Sequence, residues 1–125
     1  MTAYLNPALA LLSIALGLIG WISPSYVMET LRLSPLEGTN MGMSEIRAAS
    51  GALFVGLGVG ALVISTPQAY LMMGIAWTFA ALGRGTSLIF DGTSELKWVF
   101  FVVEIAVGLA LIWKNRDAFE RVATL

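Results

Sequence analysis

The sequence has 125 residues, of which 58% are hydrophobic and 12% are charged, and its formal net charge is -1. An ordinary soluble domain is about 25% charged, so this composition indicates a protein whose solvent is lipid. The charge balance provides no basic surface for nucleic acid. Because the chain has no Cys and no His, we exclude disulfides, thiolate or imidazole metal sites and haem held by these residues, and we expect neither a metal nor a cofactor.

Four apolar runs, each near the length of about 20 residues that a span requires, predict transmembrane helices. Their predicted bounds are residues 7–22, 45–65, 67–90 and 95–113. The connections are short except for the first, so we expect one membrane domain over the whole chain, followed by a cytoplasmic tail of residues 114–125. The predicted fold is all-α: an integral membrane bundle of four transmembrane helices in up-down order, with a short amphipathic helix in the first loop.

The first run has the features of an uncleaved span. Asn6 and Pro7 predict an N-cap followed by proline at the first helical position. No Lys or Arg precedes the run and no small-residue cleavage site follows it, so a signal peptide is the less favoured alternative. Small and polar residues recur at steps of four and three and share one helix face, which we expect to contact other helices. These residues are Asn6, Ala10, Ser13, Gly17 and Gly20.

The first loop and the second span have their own signals. Ser23 and Pro24 predict the start of the short amphipathic helix, which we expect at the membrane interface. An irregular loop up to Met43 follows, and Ser44 then predicts the N-cap of the second span, with Glu45 in its first turn. The small residues at a spacing of four predict tight packing within the bundle, with a dimer interface as the alternative. They are Ala52, Gly56 and Gly60.

Two further turns complete the topology. Thr66 with Pro67, and the turn from Asp91 to Ser94, join consecutive spans closely, so we expect antiparallel neighbours. The basic residues of the tail are Lys114, Arg116 and Arg121. By the positive-inside rule they place both termini in the cytoplasm, and the predicted location is the bacterial inner membrane.

Charged residues inside the third and fourth spans predict a polar site. Placing an arginine at the centre of a transmembrane helix costs about 2.5 to 3.5 kcal/mol on insertion scales, so we expect Arg84 to face the protein interior. Glu104 lies at a matching depth on the next antiparallel helix, and we predict that the two form a buried salt bridge. Ser87 and Asp91 continue the polar stripe of Arg84 at helical spacing.

Arg47 and Glu45 add charges from the second span. The predicted functional cluster is Arg47, Arg84, Glu104, Asp91, Glu45 and Ser87. A structural network, in which Arg84 and Glu104 only join two helices, is the alternative. We favour a ligand pocket because ionisable residues inside a membrane are functional candidates by default.

The same positions carry a family resemblance. The segments are Glu45-Ile46-Arg47-Ala48-Ala49-Ser50-Gly51, Gly56-Leu57-Gly58, Leu82-Gly83-Arg84, Asp91-Gly92 and a late Glu104. Together they resemble a family of small bacterial four-helix membrane proteins that is described as a domain of unknown function, and more distantly the DoxX-like membrane proteins. This family usually has an aromatic residue where the chain has Ser50. The resemblance implies the fold and the polar positions, and no activity or cofactor.

The sequence thus predicts a binding function for a charged pocket in the outer half of the membrane. Arg84 and Arg47 would hold a small anionic, carbonyl-bearing or lipid-like ligand, and translocation of that ligand would extend the binding. Expected partners are membrane lipids and a homo-oligomer or a membrane complex. One alternative is an accessory subunit or assembly factor with a structural charge cluster. Another is a lipid-modifying enzyme that uses Glu104 or Asp91 as acid or base, although no nucleophile-base pair or metal motif supports catalysis.

Overall fold

The computed structural model describes residues 2–125, and helices account for most of them, with no strand in this part of the chain. The main helices are α1 (Leu5–Ile22), α2 (Pro24–Leu31), α3 (Met41–Ile64), α4 (Pro67–Phe90), α5 (Glu95–Lys114) and α6 (Ala118–Ala123). Within the described residues, α1, α3 and α5 are long and apolar enough to cross a membrane. The fold is therefore all-helical and has the character of a membrane protein. The 24-residue α4 is not among those three candidate spans.

The chain divides into two units, which are described separately. One unit comprises Pro7–Val63, and the other joins the N-terminal residues up to Asn6 with Ile64–Leu125.

In the unit Pro7–Val63, the buried face of α1 is the predicted small-residue face. Its buried members are Ala10, Ser13, Gly17 and Gly20. A Cβ atom added at Gly17 would lie 2.6 Å from the carbonyl oxygen of Gly51, and one added at Gly58 would lie 2.5 Å from that of Ala10. The two helices are therefore antiparallel and their backbones touch, which only residues without large side chains permit.

The packing residues of α3 differ from those that the spacing predicted. Gly51 and Gly58 are buried against α1, whereas nothing described lies within 4 Å of a Cβ added at Gly56 or Gly60. Within this unit, Gly56 and Gly60 therefore do not pack as the spacing predicted. A π-helical turn occurs at Ala48–Ala52. Gly51 and Gly58 are seven residues apart and share one face of α3, and Gly58 lies about 200° around the helix from Gly56 and from Gly60.

The start of α3 is also earlier than predicted. The helix begins at Met41 with Asn40 as N-cap, so the prediction of Ser44 as the cap is wrong and Glu45 lies beyond the first turn. The Thr39 hydroxyl accepts a hydrogen bond from the Met41 N–H at 3.2 Å. This bond satisfies one of the amide donors that a helix start leaves unpaired. The predicted short helix of the first loop is present as α2.

In the unit with Ile64–Leu125, side-chain caps fix the starts of α4 and α5. The Thr66 hydroxyl accepts from the Ala69 N–H, and the Ser94 hydroxyl accepts from the Lys97 N–H, each at 3.3 Å. Pro67 occupies the first turn of α4, as the sequence predicted. Such caps satisfy amide donors at the helix start and are favoured by these residue types.

Close backbone contact joins α4 to α5. A Cβ atom added at Gly74 would lie 2.7 Å from the Cβ of Leu111, and one added at Gly108 would lie 2.7 Å from the backbone nitrogen of Thr78. Residues early in α4 thus meet residues late in α5, so the two helices are antiparallel. This packing holds the polar positions of the two helices in register.

Asn6 has a different role from the predicted N-cap. Because α1 already begins at Leu5, Asn6 lies inside its first turn. Its amide exchanges two hydrogen bonds of 2.8 Å with the amide of Asn115, which follows the last residue of α5. Asn115 is buried and also donates to the carbonyl oxygen of Leu111. Both side-chain amides therefore have hydrogen-bond partners, as buried polar groups require.

Candidate functional site

Arg84 on α4 and Glu104 on α5 form a two-point ion pair. The Arg84 Nη2 lies 2.6 Å from Glu104 Oε1, and its Nε donates to Glu104 Oε2 at 3.3 Å. Two parallel N–H to carboxylate bonds fix both the distance and the orientation of the guanidinium group. The structure therefore contains the pair that matching depth on two antiparallel helices predicted.

The pair is not buried, in contrast to the prediction of a buried salt bridge. The exposed fraction of the side chain is 33% for Arg84 and 12% for Glu104. Glycines flank Arg84 on both sides, and nothing described lies within 4 Å of a Cβ added at Gly83. Because a third of its side chain is exposed, the arginine is accessible from outside the helix pair.

One aromatic residue of α5, Phe100, lies against Arg84. The Cζ of Arg84 lies 5.2 Å from the ring centroid of Phe100, a distance at which a cation is attracted to the ring face. Phe101 lies 3.4 Å from the position of a Cβ added at Gly85 and meets Trp98 edge to face. Sequence reasoning did not assign Phe100 to the site. Its spacing of four residues from Glu104, which puts both on one helix face, is the signal that could have identified it.

The guanidinium group retains unused donors. A guanidinium has five N–H donors, and Glu104 accepts from two of them, so three remain. Among residues 2–125 no acceptor is bonded to these three. The accessible edge of Arg84 can therefore bind a carboxylate, a phosphate or a carbonyl oxygen while Glu104 holds the other edge.

Ser87 and Asp91 lie at the end of α4, beyond the ion pair. The Asp91 N–H donates to the carbonyl oxygen of Ser87 at 2.8 Å, and Asp91 is the exposed C-cap residue of the helix. In the described part of the chain, neither side chain makes a hydrogen bond to Arg84 or Glu104. Their contribution to a site stays a prediction.

Arg47 and Glu45 belong to the other unit, and each has its own surroundings there. The Arg47 Nη1 donates to the carbonyl oxygen of Trp21 at 2.6 Å, in the last turn of α1. A cation that bonds a terminal carbonyl group stabilises a helix end. Glu45 is exposed and lines a groove formed with residues of the first loop. The predicted roles of Arg47 and Glu45 in ligand binding stay predictions.

The acidic residues do not form a metal site. Within residues 2–125, no group of three or more Asp or Glu side chains is arranged to hold a metal ion.

The fold and the ion pair define a class of all-helical, membrane-type protein with an accessible Arg-Glu pair between two helices. The chain belongs to the family described as a domain of unknown function (DUF4345), whose model matches residues 5–114. The matched range contains α1 to α5 and therefore both members of the ion pair. No curated protein and no solved structure matches the chain significantly.

Proposed function

We propose that this chain is a four-helix integral membrane protein that binds a small anionic or carbonyl-bearing ligand, polar or lipid-like, at the accessible edge of Arg84. Translocation of the same ligand is a further part of the proposal. Glu104 holds Arg84 in a fixed orientation, and Phe100 contacts the guanidinium face. The proposal concerns the helix pair α4 and α5 and requires no residue from the other unit.

One observation carries this proposal: Arg84 has unsatisfied donors in a region that lipid would surround. Glu104 lies near the middle of α5, a candidate membrane span, and Arg84 is paired with it. Hydrocarbon cannot accept hydrogen bonds, and an unsatisfied polar group there costs several kcal/mol. The three remaining N–H donors therefore favour an occupant that carries oxygen acceptors. A structural pair alone would need no accessible edge.

The surface of α4 supports a fourth span. The large apolar residues that α4 exposes are Met72, Ile75, Phe79, Leu82, Ile89 and Phe90. Met72, Ile75, Phe79 and Leu82 follow one another at steps of three and four, and Ile89 lies two turns beyond Leu82, so these five share one face. An apolar face of this length is costly in water and is the normal surface of a helix in lipid. The lower hydropathy of α4 then reflects the residues of its other faces, Arg84 included.

The proposed orientation follows from the basic tail. Lys114, Arg116 and Arg121 place the C-terminus in the cytoplasm, and an even number of spans places the N-terminus there too. The proposed location is the bacterial inner membrane, and the proposed relationship to DoxX-like proteins is distant. The Asp91 turn would then face outward, so that a ligand would reach Arg84 from the outer half of the membrane.

A partner-binding role is the second candidate, and an observation favours it. Gly56 and Gly60 lie one turn apart on α3 and have open space above them. Small residues at this spacing allow a helix from another chain to approach closely. A homo-oligomer or an accessory role in a membrane complex would use this surface, whereas ligand binding would use Arg84.

Mass spectrometry of material that co-purifies with the protein in a mild detergent tests ligand binding. We expect a defined anionic or carbonyl-bearing compound with the wild type and a loss of about tenfold or more with the double variant Arg84→Met/Glu104→Gln, since a charge-assisted contact contributes about 1.5 to 3 kcal/mol. The double variant removes both charges together, so no unpaired charge remains to unfold the helix pair.

Arg116→Gln is the matched control. Arg116 is also an arginine over an aromatic ring, that of Trp113, but it is exposed and lies outside α4 and α5. Its loss should leave the bound compound in place. Wild-type protein without any bound compound, or a double variant that retains it at the wild-type level, would contradict ligand binding at Arg84.

A further inference from the structure

A groove of about 380 Å³ lies within the unit Pro7–Val63, between the end of α2 and the start of α3. Its lining residues are Met28, Leu33, Ser34, Pro35, Leu36, Thr39, Met41, Gly42, Glu45 and Ile46. Small-molecule sites typically have volumes of about 300 to 1,000 Å³, with mostly apolar walls and few polar groups. The groove has both properties.

The backbone of the first loop holds the groove open. Arg32 ends α2 in the left-handed conformation, with φ at 56°, and the Leu33 N–H then donates to the Met28 carbonyl oxygen at 2.8 Å. Pro35 stiffens the irregular segment that follows α2, because its ring restricts φ and it has no N–H donor. The chain therefore leaves α2 at a fixed angle and returns to α3 without filling the space between them.

Apolar side chains at the rim remain exposed. Leu33 is 50% exposed, Leu36 is 81% exposed and Met41 is 66% exposed. Met28 lies buried at the groove, and the flexible, polarisable thioether side chains of Met28 and Met41 adapt to apolar groups of different shape. The walls thus suit an alkyl chain or an aromatic ring.

Glu45 gives the groove its charge preference. It is the one ionisable residue in the lining, and no ion pair joins it to a cation within the part of the chain that the structure describes. Residues 24–47 have three acidic residues (Glu29, Glu37 and Glu45) and two basic residues (Arg32 and Arg47), which gives a local net charge of -1, and Arg47 donates to the Trp21 carbonyl oxygen rather than to Glu45. This charge attracts cations and repels anions.

We propose that this groove binds a single-chain organic cation: an ammonium group pairs with Glu45, and its alkyl or aryl part lies against Met28, Leu33 and Met41. The lining has no Lys or Arg, so it offers no partner for the phosphate of a phospholipid headgroup. A volume of about 380 Å³ suits one short chain rather than two acyl chains. The start of α3, a candidate span, lines the groove, so an amphiphile in the membrane interface could reach it.

Calorimetric titration of the protein in nanodiscs of zwitterionic lipid tests this site. The probe is decyltrimethylammonium below its micelle-forming concentration, with decanoate as the anionic counterpart and empty nanodiscs as the blank. We expect saturable binding of the cation to the protein, and none of decanoate above the blank. No saturable binding of the cation, or equal binding of the two probes, would overturn the proposal.

Three variants locate the binding. Glu45→Gln keeps the shape of the side chain and removes its charge, and we expect affinity for the cation to fall about tenfold or more. Gly42→Leu should abolish binding, because a Cβ at Gly42 would lie 3.8 Å from Met28 Cε and from Pro35 Cβ, so that a larger side chain enters the groove. Glu29→Gln removes an exposed carboxylate that does not line the groove, and its affinity should equal that of the wild type.

The outcome with the two glutamate variants decides the proposal. If Glu45→Gln binds the cation as tightly as the wild type, or if Glu29→Gln weakens binding equally, no specific site exists at Glu45. Because Gly42→Leu places a larger side chain next to Met28 and Pro35, its melting temperature is measured beside that of the wild type, and Glu45→Gln alone is decisive. Arg84 and Glu104 play no part, so failure here leaves the proposed ligand site on α4 and α5 intact.

Discussion

The contact between Arg84 and Glu104 predicts a particular pattern of stabilities. Loss of one partner leaves the other charge without its hydrogen bonds in an apolar setting. Exposed pairs contribute about 0 to 1 kcal/mol, and breaking a buried pair costs about 3 to 5 kcal/mol, so for this half-buried pair we expect each of Arg84→Met and Glu104→Gln to cost about 1 to 3 kcal/mol. The double variant should cost less than the sum of the two. Thermal unfolding in detergent measures all three, and simple additivity would show that the two residues are not coupled.

At the scale of single residues, the sequence predicts which side chains pair more successfully than it predicts how exposed they are. The pair on α4 and α5 follows from helical rise and an antiparallel turn, which are local quantities. The accessibility of Arg84 depends on how neighbouring elements pack around its side chain, and the bond from Arg47 to Trp21 depends on how two helix ends meet. Neither is encoded in spacing along one helix. Similarly, Pro7 after Asn6 predicts that Asn6 is a cap, whereas the hydrogen-bond partner of Asn6, Asn115, is 109 residues away.

At the scale of helices, two glycines of α3 form a matched pair for mutation. A Cβ at Gly58 would lie 2.5 Å from the Ala10 carbonyl oxygen, whereas a Cβ at Gly56 would meet nothing described within 4 Å. Gly58→Ala should therefore destabilise the protein by about 1 to 3 kcal/mol, the usual cost of overpacking. Gly56→Ala should be neutral or stabilising, by up to about 1 kcal/mol from helix propensity. Thermal unfolding of both variants is the measurement, and equal effects would contradict the observed packing of α3.

The same experiment addresses the second candidate function. If Gly56→Ala leaves stability unchanged but dissociates an oligomer on size-exclusion chromatography, the open face at Gly56 and Gly60 is an interface between chains. The sequence predicted that Ala52, Gly56 and Gly60 would pack, whereas the glycines of α3 that contact α1 are Gly51 and Gly58. Both sets recur at helical spacing but lie on different faces of α3, so spacing alone does not show which face meets α1.

For the whole molecule, composition and turn residues predict the main architecture. The apolar runs indicate lipid, and the capping residues Thr66 and Ser94 lie where their helices begin. The first loop was less predictable, because Ser44 is as plausible a cap as Asn40 until the bond from the Met41 N–H to Thr39 is known. The number of spans is not fixed by hydropathy alone, since α4 combines an apolar exposed face with Arg84. This number decides which membrane face each loop occupies.

Labelling of single cysteines can determine this topology, and the chain is well suited to it because it has no native Cys. A membrane-impermeant maleimide is applied to spheroplasts that express Glu37→Cys, Gln68→Cys, Thr93→Cys or Thr124→Cys. These positions lie in the first loop, at the start of α4, in the turn before α5 and near the C-terminus. With four spans and cytoplasmic termini, Glu37→Cys and Thr93→Cys should be labelled, whereas Gln68→Cys and Thr124→Cys should react only after lysis. Equal labelling of Gln68→Cys and Thr93→Cys on intact spheroplasts would mean that α4 does not cross the membrane. Arg84 would then lie in water, where its free donors are satisfied without a ligand, and the proposed ligand site would lose its physical basis.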